Sequence, residues 1–66
     1  MIRLKLDNEI YSSKSINLAK EAYSMLADIL VISGRNTTEL VFSNCKYDED
    51  RTVKEFENYI IGLENS

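Results

Sequence analysis

Residues 27–43 decide the fold, and they read Ala27-Asp-Ile-Leu-Val-Ile-Ser-Gly-Arg-Asn-Thr-Thr-Glu-Leu-Val-Phe-Ser43. The densest apolar run of the chain is Ile29–Ile32, and a second β-prone run follows at Glu39–Phe42. Between them lie Gly34 and Asn36, two residue types that favour turns. Two such runs joined by a short segment with glycine and asparagine predict a β-hairpin.

The first strand of this hairpin is apolar on both faces. Ile29 and Val31 fall on one face, whereas Leu30 and Ile32 fall on the other. A strand without a polar face is usually covered on both sides. We therefore expect one pair to face the helices and the other to face a partner, and the sequence leaves open which pair does which.

The rest of the chain supplies a third strand and two helices. Ile2, Leu4 and Leu6 alternate with charged residues, which predicts a strand with one buried face. Ser12 or Ser13 is placed to cap a helix that continues to Leu26.

A second helix follows the acidic run at residues 48–50. Asp48, Asp50 or Thr52 is its candidate N-cap, with Glu55 completing a capping box if Thr52 is the cap. Residues 64–66 are predicted to be disordered. The order β-α-β-β-α predicts a single two-layer α+β domain over residues 1–66, in which a three-stranded sheet carries both helices on one face.

Composition narrows the functional classes. The chain has 66 residues, a net charge of −3, one cysteine and no histidine. An acidic chain without a basic stripe argues against binding of nucleic acid or of an anionic membrane. No apolar run approaches the ~20 residues that span a bilayer, and the alternating N-terminus does not resemble a signal peptide. We expect a cytoplasmic protein without cofactors.

Three features have a chemical and a structural interpretation. The acidic run Asp48–Asp50 is either part of a cation site or a solvated helix start, and it lacks the spacing of an EF-hand loop. Cys45 is either a nucleophile or a structural thiol, and no histidine is present to activate it. The four tyrosines form either a stacking surface or packing contacts. The structural interpretation is favoured each time, so we predict no catalytic residue, no metal site and no enzyme activity.

Binding remains the best functional prediction. The candidate interaction surface comprises the residues Ile29, Leu30, Val31, Ile32 and Ile61. If the first strand or the second hairpin strand lies at a sheet edge, a strand of a peptide or of a second copy can add to it. The alternative is an edge protected by Arg3, Lys5 or Glu39. A protein or peptide partner, a homo-oligomer and an acidic surface that masks a basic partner all stay open.

The chain also resembles a known family. The stretch Leu4-Lys-Leu-Asp-Asn-Glu-Ile-Tyr-Ser12, with Ile16, Ala19 and Ala22-Tyr23, resembles the N-terminal half of the HxsD-like proteins. Phe56-Glu-Asn-Tyr-Ile-Ile61 is similar to their later Phe-x-Asn-x-Leu-Leu stretch, but a basic Leu-Arg segment usually follows there and Gly62-Leu-Glu-Asn-Ser66 follows here. The resemblance implies a non-catalytic accessory role in His-Xaa-Ser peptide systems. Such a protein would bind a ribosomally made peptide, or the radical S-adenosylmethionine enzyme that matures it.

Overall fold

The predicted hairpin is present in the computed structural model, which describes residues 1–66. Strands β2 (Asp28–Ser33) and β3 (Thr37–Ser43) pair antiparallel. In the turn, the Gly34 amide donates to the Thr37 carbonyl oxygen over 2.8 Å. A Cβ atom at position 34 would lie 2.6 Å from the same oxygen, so this turn accommodates glycine and no larger residue without a shift.

The third strand, β1 (Ile2–Asp7), pairs antiparallel with the other side of β3 and gives the order β1-β3-β2. β2 occupies one side of β3 through the hairpin, and β1 pairs with the opposite side of β3 and not with the free side of β2. The second hairpin strand, considered above as a possible edge, is therefore the centre of the sheet. β2 is an edge strand, and the pair of its residues that faces the helices, which the sequence left open, is Ile29 and Val31.

Both helices lie on one face of the sheet. The row that crosses the middle of this face joins Leu4, Leu40 and Val31. Phe56 of the second helix packs edge-to-face on Phe42, with ring centroids 5.2 Å apart. The core on this side consists of the residues Leu6, Ile16, Ala19, Ala27, Ile29, Leu40, Phe42, Val53, Phe56 and Ile60.

Helix α1 (Ser13–Ala22) begins as the sequence predicts. Ser12 is its N-cap, and its hydroxyl accepts a hydrogen bond from the Ser15 amide over 3.2 Å. The helix ends four residues before Leu26, where the sequence placed its end. The amides of Leu26 and Ala27 both donate to the Tyr23 carbonyl, which turns the chain out of the helix and into β2.

Helix α2 (Glu49–Glu64) is capped by Asp48, whose carboxylate accepts from the Arg51 amide over 3.0 Å. Thr52 lies inside the helix and is not the cap, because its hydroxyl donates to the Asp48 carbonyl. The sequence predicted a disordered tail from residue 64, whereas the structure places Glu64 in the helix. The Glu64 carboxylate accepts from the amide and the hydroxyl of Ser12, over 2.8 and 3.0 Å.

The predicted fold class is confirmed: the chain forms an α+β domain with a three-stranded sheet and two helices. Its shortest dimension is 17 Å, as expected of two layers. Neither helix combines the length and the apolar character that a bilayer span requires.

Candidate interaction surface

The face of the sheet opposite the helices, called here the open face, is built from alternate residues of the three strands. One row across it joins Arg3, Val41 and Leu30. The next row joins Lys5, Glu39 and Ile32. Charged side chains therefore lie on the β1 side of the open face, and apolar side chains lie on the β2 side.

The apolar half of the open face is formed by Leu30, Ile32 and Val41. Leu30 is 61% exposed and Ile32 is 45% exposed. Val41, between Arg3 and Leu30 in its row, is only 7% exposed. Two large apolar side chains thus stand in water side by side on an ordered strand, which is the kind of surface that marks an interaction site.

The charged half of the open face is partly neutralised. The Arg3 guanidinium Nη1 lies 2.9 Å from the Glu39 carboxylate Oε1. Lys5 pairs in register with Glu39 but forms no ion pair with any carboxylate. The Lys5 ammonium is therefore the one cation of this face that is free to meet an acidic group.

The free edge of β2 carries an ordered row of backbone donors and acceptors. The Gly34 amide donates to the Thr37 carbonyl, and in an antiparallel pair every second residue bonds to the same neighbour. Ile32 and Leu30, two and four residues before Gly34, therefore also turn their backbone groups toward β3. The backbone groups of Ile29, Val31 and Ser33 consequently point away from the sheet. These three residues can pair with an added strand.

The free edge of β1 follows the same rule with different side chains. The Asn8 amide donates to the Asn36 carbonyl over 2.9 Å, which shows that the even-numbered residues of β1 turn their backbone groups toward β3. Arg3, Lys5 and Asp7 therefore turn their backbone groups away from β3, and the Asp7 carbonyl already accepts from the amides of Ile10 and Tyr11. All three residues of this edge are charged, which is a common protection of a sheet edge against pairing.

The five residues predicted as an interaction surface do not lie together. Ile29 is buried and Val31 is half-buried beneath the helices, whereas Leu30 and Ile32 lie on the open face. Ile61 is 43% exposed, but it belongs to α2 and so lies on the other side of the sheet. Val41 is a neighbour of Leu30 on the open face and was not among the predicted residues.

The groups considered for catalysis have structural roles. Burial and the nearby Glu49 raise the pKa of the Cys45 thiol, which disfavours the reactive thiolate. Tyr23 packs edge-to-face on Phe56 and on Tyr59, and its burial raises the pKa of its phenol. No three histidine, cysteine, aspartate or glutamate side chains lie close enough together to hold a metal ion.

The Glu64 carboxylate is the most strongly hydrogen-bonded acid. The Ser15 hydroxyl, the Ser12 amide and the Ser12 hydroxyl lower its pKa because they stabilise the charged form. The carboxylate also lies at the N-terminus of α1, where the helix dipole favours negative charge. This contact joins the end of α2 to the start of α1, so it is structural.

The largest cleft, of about 360 Å³, lies between the end of β1 and the hairpin turn. The Asn8 side chain there donates to the Gly34 and Arg35 carbonyls and accepts from the Thr38 hydroxyl over 2.6 Å. These polar groups satisfy one another, so the cleft offers few groups to orient a small ligand.

Comparisons with protein-family models, curated proteins and solved structures give no match to this chain. The resemblance to the HxsD-like proteins accordingly stays a prediction. The open face and the free edge of β2 are the two features of the molecule from which a function can be inferred.

Proposed function

We propose that the protein is a non-catalytic binding protein that holds an extended segment of a partner polypeptide against its open face. The observation that carries this proposal is the pair Leu30 and Ile32, two exposed apolar side chains on a sheet face without a helix. Because the backbone that carries them is already ordered in a sheet, binding costs little further backbone entropy, which favours association.

The charges of the open face define the chemistry of the partner segment. Arg3 is already neutralised by Glu39, whereas Lys5 is unpaired and lies in the same row as Ile32, on the other side of Glu39. A segment with apolar side chains for Leu30 and Ile32 and a carboxylate for Lys5 complements this surface. Such a charge contact contributes specificity more than affinity.

The resemblance to the HxsD-like proteins suggests what that partner is. In this role the chain acts in the cytoplasm and presents a ribosomally made peptide to a radical S-adenosylmethionine enzyme, or binds that enzyme itself. The raised pKa of Cys45 and the structural role of the acidic run are compatible with a protein that performs no chemistry of its own.

The test is a calorimetric titration of the protein with the precursor peptide and with the radical S-adenosylmethionine enzyme of a His-Xaa-Ser system. We expect binding to one of them at tens of micromolar or tighter. The variant Leu30→Ser should weaken this binding at least about tenfold. The variant Ile61→Ser is the matched control, because Ile61 is an exposed apolar residue on the opposite side of the sheet. No binding to either molecule would contradict the proposal.

The charge contact has its own test. The variant Lys5→Gln should weaken binding of a peptide with a carboxylate by no more than about tenfold and should reduce its dependence on salt. The variant Lys14→Gln, which alters a lysine on α1, should bind the peptide unchanged. Equal effects of the two substitutions would show that Lys5 makes no specific contact.

A further inference from the structure

The free edge of β2 has the properties of a self-complementary interface. We infer that two copies of the chain pair their β2 strands antiparallel about a two-fold axis at Val31. The three strands of each copy then form one continuous sheet of six, β1-β3-β2-β2-β3-β1. This inference does not depend on the function proposed above.

The backbone register supports this pairing. Ile29, Val31 and Ser33 are the residues whose amides and carbonyls point outward. A two-fold axis at Val31 places it opposite Val31 of the partner subunit, and it places Ile29 opposite Ser33 of the partner subunit. Each such pair exchanges two hydrogen bonds, so about six backbone hydrogen bonds form without a bulge or a change of conformation.

The side chains agree with the same register. On the open face, Leu30 comes to lie opposite Ile32 of the partner subunit, and symmetry repeats this contact. Both positions belong to non-hydrogen-bonded pairs across the new interface, in which opposite Cα atoms are only about 4.5 Å apart. Four exposed apolar side chains thus cover one another, and cross-strand apolar pairs of this kind stabilise a sheet.

Charge is also compatible with the pairing of β2. Asp28, the one charged residue of β2, falls opposite Gly34 of the partner subunit and not opposite a second carboxylate. The equivalent pairing of β1 would be centred on Lys5. It would place two lysines opposite each other and Arg3 opposite Asp7 of the partner subunit, whose carbonyl is already engaged by the amides of Ile10 and Tyr11. This pairing would bring charged side chains into the interface and would cover no exposed apolar pair, so the two edges of one sheet differ in their ability to self-associate.

The size of the interface determines how tightly the pair forms. A strand of six residues is about 20 Å long, and pairing along it buries less than the ~800 Å² per partner of a standard interface. We therefore expect a dimer that dissociates in the micromolar range. Pairing also joins the apolar halves of two open faces into one surface.

Sedimentation equilibrium over a concentration series tests the interface. The wild-type protein should change from monomer to dimer between low micromolar and high micromolar concentration. The variant Leu30→Lys should raise the dissociation constant at least about tenfold, because the substitution enters a two-fold interface twice. Ile61→Lys, on the other side of the sheet, should dimerise like the wild type.

A cross-linking experiment tests the register. In a Cys45→Ser background, Leu30→Cys and Ile32→Cys proteins are prepared separately, mixed and oxidised. The predicted Cα separation is within the range of a disulfide, so the mixture should give a cross-linked heterodimer. Each protein alone should cross-link much less, because each residue lies diagonal to its own copy.

The results of these experiments distinguish a second copy of the chain from a peptide as the partner of the free edge of β2. A monomer at high micromolar concentration, or a dimer that Leu30→Lys leaves intact, would overturn the inference. Binding of the precursor peptide to a protein that stays monomeric would assign the edge or the open face to the peptide and would overturn it as well. A dimer with no peptide binding would support the inference and count against the proposed function.

Discussion

The two edge strands of the sheet have the same backbone arrangement but different side chains. Both pair with β3, both contain six residues and both turn alternate backbone groups toward solvent. On β1 the outward-facing residues Arg3, Lys5 and Asp7 are all charged. On β2 the outward-facing residues are uncharged, and their neighbours Leu30 and Ile32 are exposed and apolar.

This difference shows that side chains, and not topology, decide whether a sheet edge is available. The two free edges are similar in length and expose rows of amides and carbonyls, although the Asp7 carbonyl of β1 is already engaged by Ile10 and Tyr11. Pairing along β1 would bring charged side chains into the interface, including Lys5 against Lys5 of the partner subunit. Pairing along β2 removes apolar surface from water. The predictions below test this difference, from the largest expected effect to the smallest.

A substitution in β3, the strand that pairs with both edge strands, should destabilise the whole sheet. Phe42 is fully buried between the two edges and packs against Phe56. The variant Phe42→Ala should lower the free energy of unfolding by about 3–5 kcal/mol, measured by urea denaturation with circular dichroism. The control Tyr47→Ala removes an exposed ring and should change it by less than about 0.5 kcal/mol. Equal losses would mean that Phe42 does not hold the sheet together.

A smaller loss of stability is expected for a substitution at the end of β1, where its neighbour Asn8 contacts the hairpin turn. The Asn8 side chain accepts from the buried Thr38 hydroxyl and donates to two carbonyls of the turn. The variant Asn8→Ala leaves that hydroxyl without a partner and should lower the free energy of unfolding by about 1–3 kcal/mol. Asn17→Ala, at an exposed position of α1, is the matched control and should have little effect.

The contact between the two helices, Glu64 with Ser12, should make the free energy of unfolding depend on pH. It should leave the two edge strands unchanged. Hydrogen bonds from Ser15 and Ser12 lower the pKa of Glu64 in the folded state. Its stabilising contribution is therefore complete above the pKa of the unfolded chain and is lost as the pH falls through the lower folded pKa. Urea unfolding of wild type and Glu64→Gln should show a difference at neutral pH that shrinks in acid.

The control for this prediction is Glu57→Gln, since the Glu57 carboxylate forms no hydrogen bond or ion pair. Its free energy of unfolding should follow that of the wild type at both pH values. A Glu64→Gln variant with a constant deficit across the pH range would show that the charge of Glu64 is not the stabilising element.

The smallest effect is expected for the ion pair of the charged half. The variant Arg3→Ala should lower the free energy of unfolding by no more than about 1 kcal/mol, because Arg3 is exposed and solvent screens the pair. High salt should reduce the difference further. Urea unfolding at low and at high salt measures this difference in the free energy of unfolding. Arg51→Ala, which removes an exposed ion pair within α2, is the control. A larger loss would mean that this pair holds β1 in place.

Much of the fold could be predicted from the sequence because local patterns determine it. The alternation in β1, the hairpin and the Ser12 cap all follow from residue spacing. The strand order could not be predicted in this way, because β1 could pair with the free side of either hairpin strand. The position of β2 at an edge was missed for this reason, and which pair of its residues faces the helices was left open.

The candidate site was predictable only in part. Leu30 and Ile32 were identified by their apolar character, but so were the buried Ile29 and the distant Ile61. Val41, Arg3, Lys5 and Glu39 join the site through cross-strand register, which depends on residues far apart in the sequence. The link between Glu64 and Ser12 was missed for the same reason, since it spans the whole chain.

The central claim is that β2 is an available edge and β1 is not. Amide hydrogen exchange, resolved by residue and measured over a concentration series, tests it directly. The outward-facing amides of Ile29, Val31 and Ser33 should exchange more slowly as the protein concentration rises, while those of Arg3, Lys5 and Asp7 should exchange at an unchanged rate. Slowing of both sets together, or of neither set, would contradict the claim.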